Sequence, residues 1–196
     1  MLRNVGKSVV VLFLVGGCSG KHGGAGMEAP KKPVPASQMS MFNDMIGSWT
    51  STWEMTGEMA EEMKEHDPKA QMTFKGENTC ALYMDGIWLK CDGWYEMGPD
   101  LRATYVEYYG YNTDDNVFNS YFISDMGEVG HGVLKPCGDD NRCFKMKWSG
   151  HDLSGNEKSG GGCMRFVDKD SMEFSWFEKM GPFAKMEMKG TSKRKK

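Results

Sequence analysis

The sequence predicts an all-β fold, namely an up-and-down antiparallel β-barrel of about 8 to 10 strands preceded by a short N-terminal helical turn. Three observations favour this fold. Beyond residue 46, short runs rich in aromatic and β-branched residues are separated by turn signals about every 8 to 15 residues. Within these runs apolar and polar residues alternate, as in strands with one buried face and one wet face. Short hairpin connections join the runs, and closing such a sheet removes its exposed edges.

The alternation is clearest in the last third of the chain. Phe144, Met146 and Trp148 fall on one face of a predicted strand, and cysteine or lysine occupies the positions between them. Met186 and Met188 alternate with charged residues in the same way. We therefore expect a buried inner face and a polar outer face. The predicted strands are 47–55, 71–84, 87–97, 101–111, 116–124, 129–136, 143–150, 161–167, 171–179 and 183–190.

The charge distribution argues against a nucleic-acid-binding protein. The chain has 24 Lys and Arg residues against 27 Asp and Glu residues. Residues 42–188 carry 14 basic and 26 acidic side chains, a net charge of −12. Phosphate binding requires a basic face, which this segment lacks. The C-terminal residues 191–196 are predicted to form a short basic tail outside the barrel.

The first 17 residues are predicted to be an export signal. Arg3 and Lys7 supply positive charge, and Val9–Val15 form an apolar core of seven residues. Seven apolar residues are too few for a transmembrane helix, which needs roughly 20. A basic start, a short apolar core and small residues before a cysteine are typical of a signal peptide.

The end of this signal, Val15-Gly16-Gly17-Cys18, resembles the lipobox of bacterial lipoproteins, although those usually carry leucine at the position of Val15. The resemblance implies cleavage before Cys18 and acylation of that residue, which would attach the protein to a lipid bilayer. Residues 18–38 are rich in Gly, Pro, Lys and Ala, and are predicted to be a flexible tether. The barrel domain would span 39–190. Ser19 follows Cys18, and in a Gram-negative host the absence of an aspartate at this position resembles sorting to the outer membrane, facing the periplasm, rather than to the inner membrane.

The five remaining cysteines are expected to oxidise outside the cytoplasm. Cys80 and Cys91 lie symmetrically about an Asp-Gly turn, so we expect them to face each other and form a disulfide. A second disulfide is expected between Cys137 and Cys143, with Cys163 as a competing partner for Cys143. One thiol is left over in either arrangement. No Cys-x-x-Cys pair is present, so a metal site at these cysteines is not expected.

The start of the domain, Gly47-Ser48-Trp49, resembles the Gly-x-Trp motif of lipocalins and their calycin relatives. In that superfamily the tryptophan closes the floor of the barrel and packs against a basic residue of the last strand. The resemblance implies this role for Trp49, with Lys189 or Arg194 as its partner. More broadly, residues 42–195 resemble a family of secreted bacterial domains of unknown function in the calycin group. The resemblance lies in IGSWTSTWEM, DGIWLKCDGW, YYGYNTDDNVF and the C-terminal DKDSMEFSWFEKMGPFAKMEMKGTSKRK.

The sequence contains no assembled catalytic motif. It has four histidines, none of them in a His-Glu-x-x-His motif, and it lacks both a Gly-x-Ser-x-Gly elbow and a phosphate-binding loop that leads into a helix. The run Gly160-Gly161-Gly162 precedes a predicted strand and is interpreted as a kinked strand entry. We therefore expect neither an enzyme nor a cofactor, and no protein partner can be named.

A methionine cluster offers a metal-binding alternative. Met55, Met59 and Met63 are spaced four residues apart and would form one stripe on a helix, with His66 near its end. Thioether and imidazole ligands suit Cu(I), so a periplasmic copper-binding protein is one hypothesis. Methionine also fills irregular cores, and no compact ligand motif is present.

The main hypothesis is a lipocalin-like barrel that binds a small apolar or amphipathic molecule in its mouth. The segment 54–66 would then be a flexible lid. A structural or interaction domain of the cell envelope, whose barrel is filled by side chains, is the alternative. The residues expected to line the pocket are Trp53, Tyr95, Phe144, Trp148, Phe174 and Trp176.

Overall fold

The computed structural model describes residues 35–196 except 97, 99, 100, 139 and 181–183. Ten antiparallel strands form a closed barrel in which β1 pairs with both β2 and β10. A 3₁₀ helix, Ser37–Met45, precedes the barrel, and one α-helix, α1 (Glu58–His66), connects β1 to β2. The strands are β1 (Gly47–Thr56), β2 (Thr73–Tyr83), β3 (Trp88–Glu96), β4 (Arg102–Asn112), β5 (Val117–Ser124), β6 (Val129–Cys137), β7 (Asp140–His151), β8 (Glu157–Asp168), β9 (Ser171–Met180) and β10 (Ala184–Arg194).

The predicted all-β barrel with a short N-terminal helical turn is confirmed. Every strand pairs with its neighbours along the chain, as in an up-and-down barrel. Two strand ends differ from the prediction by four residues: β8 begins at Glu157 and β10 continues to Arg194. Residues 191–194, predicted as a tail, instead pair with 49–52 of β1. The basic side chains did not reveal this pairing because Lys193 is exposed on the strand and Arg194 packs on Trp49, which no local pattern indicates.

The expectation that Met55, Met59 and Met63 form one stripe on a helix is wrong. Gly57 has a φ of 79°, and α1 begins only at Glu58. Met55 therefore belongs to β1, where it is buried, and does not share a helix with Met59 and Met63. A positive φ at a glycine between strand and helix changes the backbone direction, which the four-residue spacing could not indicate.

The 3₁₀ helix fills one end of the barrel, which we call the closed end. Its Phe42 has no exposed surface and lies 4.8 Å from Phe118 and 5.6 Å from Phe144, measured between ring centroids. Trp49 is 4% exposed in the same cluster. Aromatic rings therefore fill the barrel interior around Phe42.

The basic partner of Trp49 is Arg194, which lies opposite it on β10. The guanidinium carbon of Arg194 is 4.4 Å from the centroid of the Trp49 ring. Lys189, the other candidate, pairs with Glu54 further along β1. A Cβ at Gly47 would lie 2.5 Å from Nη1 of Arg194, and Gly47 has a φ of 125°, so both space and backbone conformation favour glycine there.

Both expected disulfides are present. Cys80 and Cys91 are direct neighbours across β2 and β3, and both are almost fully buried. Cys137 and Cys143 link the hairpin of β6 and β7, and Cys163 is the free thiol of the described residues.

The predicted signal peptide, Cys18 and the first part of the tether, 18–34, lie outside the described residues. In the part of the chain that is described, no helix has the length and apolar character needed to cross a membrane.

Candidate functional site

A cavity of about 610 Å³ occupies the half of the barrel away from the closed end. It reaches toward the opposite end, the mouth, where α1 and the β3–β4, β5–β6 and β7–β8 connections lie. Five of the six rings expected in the pocket line this cavity. They are Trp53, Tyr95, Trp148, Phe174 and Trp176.

The sixth ring, Phe144, does not line this cavity, so its predicted place in the pocket is wrong. It has no exposed surface and packs against Phe42 and Phe118 at the closed end. The alternation correctly predicted that Phe144 and Trp148 point inward. It could not give their depth along the barrel axis, because every second residue of a strand points inward at every depth.

Glycines on the inner face make room for two large rings. Trp148 and Trp176 are stacked, with centroids 5.5 Å apart and planes inclined by 16°. A Cβ at Gly160 would lie 2.4 Å from Nε1 of Trp148, and one at Gly162 would lie 2.8 Å from Cε3 of Trp176. The glycine run is therefore not a kinked entry. It lies within paired residues of β8 and lets the rings lie flat on the strand.

A polar group inside the cavity was not anticipated from the sequence. Tyr105, Glu107 and Tyr109 alternate on β4, and all three line the cavity. Burial raises the pKa of the Glu107 carboxyl to about 7, partly opposed by hydrogen bonds from Tyr109 and Ser120. Burial likewise raises the pKa of Tyr105 to about 12. A carboxyl alternating with two tyrosines on one strand was the available signal.

Two further cavity residues have polar atoms without a hydrogen-bond partner among the described residues. They are Oδ1 of Asn78 and Nε1 of Trp148, both buried. The amide nitrogen of Asn78 donates to the hydroxyl of Tyr105 at 3.2 Å, which places that amide beside the polar strip of β4. Buried polar groups normally have partners, so an acceptor and a donor left unpaired in one cavity indicate capacity for a polar ligand group.

An ionic cluster lies at the mouth. Nζ of Lys158 is 2.5 Å from Oε1 of Glu128 and 3.4 Å from Oε1 of Glu178. The Tyr95 hydroxyl donates to Glu128 at 3.3 Å. Burial raises the pKa of Glu178, and Lys158 partly opposes this shift. When Glu107 is ionised, it adds a third carboxylate to those of Glu128 and Glu178, against the single ammonium group of Lys158. This excess of negative charge favours a neutral or cationic ligand over an anion.

The residues of the copper-binding alternative lie in different surroundings. Met55 is buried in a second apolar cluster with Ala60, Phe74 and other residues beside α1. Met63 is 39% exposed and His66 is exposed. The helix lies against β1 and β10 and covers this cluster, so Met55 and Met59 are used in packing.

Comparison with known proteins identifies a family and a fold. The sequence profile described as "Protein of unknown function (DUF1579)" matches residues 34–194. No curated protein matches the sequence. The crystal structure of Rv2717c from M. tuberculosis has a TM-score of 0.54 at 11% identity, covering 83% of this chain and 100% of that one. The S-type phycobiliprotein lyase CPES from Guillardia theta has a TM-score of 0.50 at 10% identity, covering 80% and 92%. At these identities the likeness shows a shared barrel fold.

Proposed function

The chain belongs to the DUF1579 family, whose description assigns no function, and we propose from its own site that it is a membrane-anchored barrel protein that binds a small amphipathic molecule. One observation carries the proposal: a cavity of about 610 Å³ inside the barrel, lined by aromatic rings and thioethers. This volume lies within the usual range of small-molecule sites, roughly 300–1,000 Å³. Side chains fill the barrel at the closed end. The alternative of a barrel filled by side chains therefore describes that end and does not account for the cavity.

The cavity chemistry defines the class of ligand. The stacked indoles of Trp148 and Trp176 offer a flat apolar wall. The unpaired Oδ1 of Asn78 is available to accept a hydrogen bond from a ligand, and the carboxyl of Glu107 lies in the same cavity. A neutral or cationic amphiphile with a flat apolar body and one donor group fits this arrangement better than a fatty-acid anion, since an anion would meet buried carboxylates. We propose binding without turnover.

The proposed anchor is the acylated Cys18. It is supported by the sequence alone: a basic start, a short apolar core and the Gly-Gly-Cys ending. A lipid on this cysteine, followed by the tether, would hold the barrel at the surface of a bacterial membrane, and outer-membrane attachment facing the periplasm is the arrangement we propose.

The binding proposal is tested with a neutral fluorescent amphiphile, N-phenyl-1-naphthylamine, and by native mass spectrometry of the gently purified protein. In the variant Gly130→Leu, the new side chain begins 3.5 Å from the Trp148 ring and extends into the cavity. We expect probe affinity to fall at least tenfold, about 1.4 kcal/mol, because the added carbons occupy ligand space. The matched control is Ser149→Leu on the outer face of β7, where the residue is exposed.

Unchanged affinity in the control together with weakened binding in Gly130→Leu supports the proposal. It is overturned if the wild type binds no probe and carries no co-purified small molecule. Equal probe affinity in wild type and Gly130→Leu would also overturn it, because the binding site would then lie outside the barrel.

A further inference from the structure

Three cysteine sulfurs meet on the outer face of the barrel, near the β6–β7 hairpin. Cys137 and Cys143 are joined by a disulfide. The free thiol of Cys163 on β8 lies with its Sγ 3.5 Å from Sγ of Cys143 and 3.9 Å from Sγ of Cys137. The sequence left open whether Cys137 or Cys163 bonds to Cys143, and in the structure both sulfurs lie next to that of Cys143.

The strand register explains why the sulfurs converge. Across β7 and β8, Cys143 pairs with Arg165 and Lys145 pairs with Cys163, so the two cysteines are diagonal neighbours on one face. Cys143 is 1% exposed, whereas Cys137 and Cys163 are both partly exposed. The outer two sulfurs can therefore meet reagents from solvent, and the middle one can bond to either of them.

We propose that Cys137, Cys143 and Cys163 form a thiol–disulfide exchange site, whose chemistry does not depend on the proposed ligand binding. Once the Cys163 side chain rotates into line with the Cys137–Cys143 bond, its thiolate attacks Sγ of Cys143, a Cys143–Cys163 bond forms, and the Cys137–Cys143 bond breaks. Cys137 leaves as a thiolate and takes up a proton from solvent, which balances the proton that Cys163 lost. The step is an isomerisation without net oxidation or reduction, so it needs no external reagent.

The exchange moves the reactive thiol from β8 to the end of the hairpin. Cys137 is the last residue of β6, and it is partly exposed. Once released, its thiolate can attack the disulfide of another molecule, forming a mixed disulfide on Cys137 and expelling the other half as a thiol. The substrate class of the site is accordingly a protein or small-molecule disulfide.

The second disulfide provides an internal reference. Cys80 and Cys91 are 2% and 1% exposed. The three-sulfur group comprises Cys137, Cys143 and Cys163, and neither Cys80 nor Cys91 belongs to it within the described chain. The Cys80–Cys91 bond should therefore stay closed under conditions that allow exchange at the outer site.

The experiment uses the oxidised full-length protein at pH 8, labelled with N-ethylmaleimide, quenched with acid and analysed by non-reducing peptide mapping, which separates these sites from Cys18. We expect the label on both Cys163 and Cys137, and peptides containing both the Cys137–Cys143 and the Cys143–Cys163 bonds. Glutathione disulfide should give a mixed disulfide on Cys137. Labelling should be slower at pH 6, because the attacking species is the thiolate.

Two variants decide the outcome. In Cys163→Ser, labelling of Cys137 should fall at least tenfold, and in Cys137→Ser a Cys143–Cys163 disulfide should form with no thiol left to label among the three. The proposal is overturned if the wild type is labelled at Cys163 alone, if Cys137 is labelled equally in Cys163→Ser, or if Cys143 and Cys163 both remain free in Cys137→Ser.

Discussion

Arg194 and Trp49 lie opposite each other on β10 and β1, with the guanidinium carbon 4.4 Å from the indole centroid. The same guanidinium donates hydrogen bonds to the backbone carbonyls of Asp44 and Lys169, each at 2.8 Å. The indole Nε1 of Trp49 donates to the carbonyl of Met45 at 2.8 Å. These contacts tie the 3₁₀ helix, the first strand and the last strand together at the closed end.

Replacing Arg194 with methionine should lower the free energy of unfolding by about 2–4 kcal/mol, because charged hydrogen bonds and a cation–π contact are lost together. Urea unfolding followed by tryptophan fluorescence measures the change. Lys193→Met is the control, since Lys193 is exposed on the same strand and should cost less than about 0.5 kcal/mol. Equal destabilisation by the two variants would show that Arg194 contributes nothing beyond its charge.

Gly160→Ala should disturb the stacked indoles. The added Cβ would lie 2.1 Å from the carbonyl oxygen of Phe177 and 2.4 Å from Nε1 of Trp148. The backbone contact cannot be relieved by a rotamer change, so we expect a loss of about 1–3 kcal/mol in the free energy of unfolding and an altered near-ultraviolet circular dichroism spectrum. Ser159→Ala, the adjacent position on β8, should leave both unchanged. A wild-type spectrum in Gly160→Ala would contradict the stacking account.

Glu107→Gln should change how stability depends on pH. The folded carboxyl has a pKa of about 7 against an ordinary value of 4.5, so the folded state holds its proton more tightly than the unfolded state. Wild-type stability from this group is therefore fully present below pH 4.5 and decreases as the pH rises to about 7, by about 3 kcal/mol. The glutamine side chain does not titrate, so the variant does not lose this stability. Its free energy of unfolding should therefore rise relative to that of the wild type between pH 4.5 and about 7.

The measurement for Glu107→Gln is urea unfolding of both proteins at pH 4.5 and pH 7.5. Comparing the two proteins cancels the contributions of other titrating groups, including Glu178, whose pKa is also raised by burial. A stability difference that is the same at both pH values would show that the Glu107 carboxyl titrates in the folded protein as it does in the unfolded chain.

Cys18→Ser should release the protein from membranes if the proposed anchor is correct. Expressed in a bacterium with a lipoprotein pathway, the wild type should sediment with the membrane fraction and carry an acylated N-terminal cysteine detectable by mass spectrometry. The serine variant should lose the acyl group and the membrane association, because no thiol remains to accept the lipid. Ser19→Ala serves as the control for a change beside the site. A Cys18→Ser protein that still sediments with membranes would refute a lipid anchor at this residue.

The strand content and the hairpin register could be predicted from the sequence because both depend on local pattern. Alternation indicated the inner face of β7, and the Asp-Gly turn gave the pairing of Cys80 with Cys91. The helix was misplaced at Met55 because a glycine with positive φ separates it from α1. That backbone angle has no signature in residue spacing.

The sequence by itself determined that this chain forms antiparallel strands with an apolar inner face, because the two-residue period of a strand is visible in the order of residues. The tertiary structure decided how deep each inward residue lies, and so placed Phe144 in the closed end and Trp148 in the cavity. It also brought Glu107 into the cavity and Cys163 beside a disulfide. Depth and proximity depend on barrel closure and on register between strands distant in sequence, which no local pattern encodes.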